Sequence, residues 1–162
     1  MSATDLARKA VELAASHLGV TEHPLGSNRG PEVDQYLAAV GCPPGNPWCS
    51  AFVCFSGRQA ATELGIPHDL KFSASALALW GLNPHLQFHA LQPADIPAIA
   101  IHDHGGGHGH VFFVIGVDER TGALQTLEGN SDAAGSRTGG SVVALTRRRV
   151  DDAQLVGFLR VA

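Results

Sequence analysis

Apolar positions recur with a helical period along the first half of the chain and gather into short, strand-length runs along the second. Val33, Tyr36, Leu37 and Val40 stand at i, i+3, i+4 and i+7, a single apolar stripe, with Pro31 at a first-turn position and Gly41 as a stop. An earlier helix is bounded by Ser2 and Asp5, in the manner of a capping box, and by Gly19. A third is expected over residues 47–64, stopped by Gly65, and a short fourth over 73–80. After Gly81 the apolar runs fall at 96–101, 111–117, 123–127, 142–145 and 155–161, separated by turn-forming pieces rich in Gly, Asp and Ser. Helices first and strands afterwards predict an α+β fold in one domain, residues 1–162, with N-terminal helices packed on a C-terminal antiparallel sheet of about five strands.

One hairpin bears on function. Residues 118–122 (Asp-Glu-Arg-Thr-Gly) read as a five-residue loop that pairs Val117 with Ala123. Extending that register sets His110 opposite Asn130 and Phe112 opposite Glu128. Side chains alternate with period two, so all four then point to one face, and Glu128 is the diagonal neighbour of His110. A loop one residue longer or shorter would send the acid to the other face.

Composition narrows the partners. Eleven Lys and Arg against fifteen Asp and Glu give a formal net charge of −4, which argues against nucleic acid or an anionic membrane surface. Asp5, Arg8, Lys9 and Glu12 interrupt the apolar core that a signal peptide needs, and no stretch approaches the ~18 apolar residues of a spanning segment. The expectation is synthesis in the cytoplasm, no membrane insertion, a monomer, and a separate device of delivery if the site of action lies elsewhere.

The cysteines number three, at 42, 49 and 54, so at least one thiol is left over from any pairing. Cys49 follows Pro47 and Trp48 and falls in the opening turn of the third helix. Free amides and the helix dipole there favour a thiolate, lowering a thiol pKa to roughly 3.5–7.5. The competing reading is a small buried hydrophobe. Cys54 lies about 140° further around the helix and reads as core, while Cys42 reads as incidental in its loop. A nucleophilic thiol needs a proton carrier, and residues 102–110 hold four histidines and an aspartate. They could form a metal site, yet the run contains neither H-E-x-x-H nor paired C-x-x-C spacing. His110, heading the strand, is the better base, with the rest a solvated loop. Trp48 is expected beside the nucleophile with a place in the cleft, and Arg29 either binds a substrate carboxylate or sits in the turn where Asn28 caps the second helix. The basic run 147–149 reads as a solvated strand end.

Together these pieces resemble the CHAP family, the cysteine, histidine-dependent amidohydrolases/peptidases of the papain-like superfamily that also contains the NlpC-type cell-wall peptidases. The matching segments are 19–53 (GVTEHPLGSNRGPEVDQYLAAVGCPPGNPWCSAFV), 109–116 (GHVFFVIG) and 127–130 (LEGN), so the resemblance spans essentially the whole chain. It implies a papain-like, NlpC-type fold with Cys49 as nucleophile, His110 as base, Glu128 orienting the imidazole and Asn130 as a further polar member. The implied substrate is peptidoglycan, cut between muramic acid and L-alanine or within the stem peptide, without cofactor or metal. Segment 41–46 lacks the carboxylates of the calcium loop seen in some relatives, so no calcium is expected. A phage lysis enzyme or an injected antibacterial effector would fit, the latter with a cognate immunity protein. Two other classes compete: a non-catalytic wall-binding module of the same fold, and a metal-dependent hydrolase using the 102–110 histidines.

Overall fold

Four helices precede six strands in the computed structural model, which describes residues 3–162: α1 (Ala3–Ser16), α2 (Pro31–Ala39), α3 (Cys49–Leu64), α4 (Ala76–Leu82), β1 (Gln87–Phe88), β2 (Ala98–Asp103), β3 (Gly109–Val117), β4 (Ala123–Ser131), β5 (Ser141–Arg149) and β6 (Leu155–Arg160). The strands form one open antiparallel sheet in the order β1-β6-β2-β3-β4-β5. The fold is α+β, and the sheet has six strands rather than about five. The additional strand is the two-residue β1, whose pairing of Phe88 with Phe158 on β6 is too short to leave a periodic signal.

Local chemistry accounts for most helix ends. Pro31 opens α2, and Gly65 closes α3 in the left-handed conformation at φ 66°. Three boundaries differ from expectation. α3 begins at Cys49 with Trp48 as its N-cap, two residues after Pro47. α4 begins behind Ser75, whose Oγ accepts from the Ala78 N–H at 3.3 Å. The N-cap of α2 is Gly30, without a side-chain bond, so Asn28 does not cap it; Asn28 sits in the preceding turn at φ 53°. The Ser2 cap of α1 lies outside the described residues.

α1, α3 and α4 contact one face of the sheet, and α2 packs on α3. Leu6, Ala10, Val33, Leu37, Phe52 and Val53 pack there with Ile99, Ile101, Val111, Phe113 and Leu127, all essentially without exposed surface. α3 lies directly on β3 and β4. At Gly129 the approach is closest: a Cβ there would sit 2.8 Å from Phe52 Cβ, which no side chain tolerates. The opposite face carries a smaller cluster of Ala100, Phe112, Val114, Leu124 and Phe158. Among the described residues no helix is long and apolar enough to cross a membrane.

Candidate active site

The β3–β4 register brings the chemistry together by an indirect route. At the loop Val117 pairs with Leu124, one position away from the Val117–Ala123 pair expected from sequence. That shift alone would turn Glu128 away from His110. A bulge between Val114 and Gly116 then restores the count, so that Val114 meets Thr126 and Phe113 meets Leu127. The expected face is therefore recovered, through two offsetting irregularities. The ladder stops at Phe113–Leu127, and beyond it β3 carries His110 while β4 carries Glu128.

His110 and Glu128 are both buried without exposed surface, and the imidazole Nε2 lies 2.8 Å from Glu128 Oε2. Nδ1, the other ring nitrogen, makes no conventional hydrogen bond. The Cys49 thiol interacts with the His110 ring, and the backbone amides of Val111 and Ser50 add to the influences that favour its thiolate. As the first residue of α3, Cys49 combines these donors with the amides of a helix start.

Glu128 is held from three directions. Besides His110, the Thr126 hydroxyl donates to Oε1 at 2.7 Å, and Arg148 forks onto both oxygens, Nε to Oε1 at 3.0 Å and Nη2 to Oε2 at 2.7 Å. The Arg148 guanidinium also lies over the Phe112 ring, 5.2 Å from its centroid. Arg148 was expected to be solvated; its side chain is in fact 12% exposed and belongs to the site. Its register partner is Leu124, so the guanidinium reaches Glu128 only by running along the sheet face.

The charges respond to these contacts. Burial is the largest influence on all three groups and opposes each charge, yet the partners outweigh it. The Cys49 thiol is lowered from its ordinary 9.0, burial being outweighed chiefly by its interaction with His110 and that ring's charge. The imidazole of His110 is raised to about 9 by Cys49 and Glu128. The carboxyl of Glu128 is held at about 2 by His110 and Arg148. Cys54, buried beside the Ser73 carbonyl, is pushed the other way, to about 11.

No family model matches the chain, and neither a curated protein nor a solved structure matches it. The chemistry of the site itself has to supply the function.

A cleft of about 280 Å³ opens in front of Cys49. Its walls come from Asn46 and Pro47, from Ala74 to Ala76 at the start of α4, from His108 and its flanking glycines, and from Arg137 and Thr138 between β4 and β5. Cys42, expected to be incidental, also lines it. Trp48 does not: it is completely buried, packs against Tyr36, and donates its indole N–H to Glu22 Oε1 at 2.9 Å. It anchors the start of α3 and has no surface to offer a substrate. Arg29 is paired with Asp34, Nη2 to Oδ2 at 3.2 Å, and is not among the residues that line the cleft. Asn130 is buried at φ 56°, where β4 loses register with β5, and its Oδ1 has no hydrogen-bond partner. His102, cross-strand from His110, is buried and lowered to about 4, burial being the main cause. Among the described residues no three of His, Cys, Asp and Glu are grouped so as to hold a metal ion.

Stability and reactivity should follow pH accordingly. Glu128, depressed from 4.5 to about 2, contributes stability that is present above pH 4.5 and lost as pH falls toward 2. His110, raised from 6.5 to about 9, contributes stability present below pH 6.5 and lost as pH rises through 9. Thermal melts across pH 2–6 should therefore show an acid decline in the wild type that is shallower in Glu128→Gln. At pH 7 iodoacetamide should label Cys49 well before Cys54, as read by mass spectrometry. Equal labelling of the two would contradict the ionisation described.

Proposed function

We propose that this protein is a cysteine-dependent amidohydrolase/peptidase of the CHAP type, with a papain-like or NlpC-type arrangement, that cleaves amide bonds of bacterial peptidoglycan. The observation that carries the reading is the continuous line of contacts from Cys49 through His110 to Glu128, buried at its base and open to a cleft at the sulfur. A cysteine serving only as a small hydrophobe has no use for a buried carboxylate–imidazole relay, whose desolvation is costly.

Chemistry at such a site follows from the roles of its atoms. The thiolate of Cys49 attacks the amide carbonyl, and the backbone N–H of Cys49, free at the start of α3, is placed to donate to the oxyanion. His110, protonated at Nδ1, gives that proton to the departing amine, leaving an acyl thioester. It then takes a proton from water, which attacks the thioester and releases the acid and the thiolate. Throughout, Glu128 holds Nε2–H and stabilises the imidazolium, while Arg148 and Thr126 keep the carboxylate ionised and oriented. The peptidoglycan assignment rests on the resemblance in segments 19–53, 109–116 and 127–130.

Purified peptidoglycan incubated with the protein should yield new muropeptides by mass spectrometry. A new free amine on L-alanine, with a free lactyl carboxylate left on muramic acid, or a new amine within the stem peptide, identifies the bond. Activity should survive EDTA and be lost to iodoacetamide. An unchanged muropeptide profile at high enzyme concentration would refute the assignment.

A further inference from the structure

The cleft in front of Cys49 has a charge of its own. Its lining holds two basic side chains, His108 and Arg137, and no carboxylate, although the chain as a whole is at −4. Five arginines are matched with acids, Arg8 with Asp5, Arg29 with Asp34, Arg148 with Glu128, Arg149 with Asp151 and Arg160 with Asp95; Arg58, Arg120 and Arg147 lie outside the cleft and show no such pair among the described residues. No ion pair of that kind is found for Arg137 among the described residues.

The loop that carries Arg137 is held from several sides. Asp132 Oδ1 accepts from the N–H of Ala134 at 2.9 Å and of Ser136 at 3.1 Å, and the Ser131 hydroxyl donates to the Ser136 carbonyl at 2.7 Å. Arg148, while gripping Glu128, also donates from Nη2 to the Gly135 carbonyl at 3.0 Å. The same guanidinium thus ties the catalytic carboxylate to the cleft wall that presents Arg137. A planar, permanently charged fork on an ordered loop is suited to accept a carboxylate in two parallel hydrogen bonds.

We propose that Arg137 is a substrate-binding residue that grips a carboxylate beside the scissile amide, so that the cleft selects anionic peptides. This rests on the hydrolase reading above. A carboxamide in place of that carboxylate would lose the charge and turn an N–H toward a guanidinium that can only donate.

The test separates the two ideas. Second-order rates of Cys49 alkylation are compared for iodoacetate and iodoacetamide, the adduct being located by tandem mass spectrometry, in wild type, Arg137→Gln and Arg137→Lys. The iodoacetate-to-iodoacetamide ratio should fall about tenfold in Arg137→Gln and recover in part in Arg137→Lys. Because both reagents meet the same Cys49 and His110, the ratio reports the cleft charge and not the reactivity of the thiol. A ratio equal in wild type and Arg137→Gln overturns the proposal. In parallel, a stem peptide with a free carboxylate beside the scissile bond is compared with its carboxamide. Arg137→Gln should raise KM for the carboxylate peptide about tenfold with kcat retained, and abolish the preference between the two. If the wild type cleaves neither peptide nor peptidoglycan, the hydrolase reading fails, and the alkylation ratio still judges Arg137.

Discussion

Cys49→Ala is expected to lower the proposed peptidoglycan hydrolysis by at least about 10³-fold while leaving the protein folded, because the proposed nucleophile is removed and little volume with it. His110→Ala should cost about as much, and the double variant little more than either, since residues acting as a unit lose their effect together. Cys54→Ala should retain activity. Its sulfur faces the Ser73 carbonyl in the core, with its thiol pushed to about 11, where no thiolate forms near neutral pH. Release of muropeptides by each variant, with thermal melts as a control for folding, measures the set. Wild-type rates from a folded Cys49→Ala variant would remove the thiol from the reaction altogether.

Arg148→Met should be the most destabilising change in the site outside the nucleophile and base. It strips Glu128 of two charged hydrogen bonds and leaves a fully buried carboxylate held only by His110 and Thr126. Breaking a buried pair from one side costs about 3–5 kcal/mol, which in a domain of this size lowers Tm by about 10 °C. The loss should reach the chemistry as well. With Arg148 gone, the Glu128 carboxyl rises toward its ordinary range, so the acid decline in activity should move to higher pH and kcat should fall by about tenfold or more. Arg148→Lys keeps the charge but not the fork, and should recover part of the stability and little of the orientation. A Tm and pH profile unchanged in Arg148→Met would show that Glu128 does not depend on it.

The error over Arg148 has a plain cause. Three consecutive arginines at the end of a strand look the same in sequence whether they are solvated or one of them turns inward. Nothing local distinguishes 148 from its neighbours, because its carboxylate partner lies 20 positions away and four residues along β4 from its register partner Leu124. Trp48 was misplaced for a related reason. Proximity to Cys49 in sequence suggested a cleft residue, but the buried Glu22 carboxylate, 26 positions earlier, draws the indole into the core. Asn130 sits in the left-handed region where β4 loses register with β5, which alternation alone does not foresee. Gly129 is legible in the chain: a glycine inside a strand marks a close approach, and here α3 fills it.

The order of helices and strands, the position of Cys49 at a helix start, and the candidacy of His110 and Glu128 are legible in the chain. Each of these depends on short-range patterns: helical spacing, Pro and Gly punctuation, a thiol behind a proline, a histidine heading an apolar run. The meeting of Glu128 with His110 emerges only in three dimensions, because the hairpin is one position out of the expected register and a bulge at 114–116 compensates. The tertiary structure alone brought Arg148 and Thr126 to the carboxylate, set β1 on the sheet edge, and put Arg137 on a wall of the cleft that Cys49 also lines. Periodicity fixes which way a side chain points only while a ladder stays regular, and this site is built where the β3–β4 ladder bulges and ends.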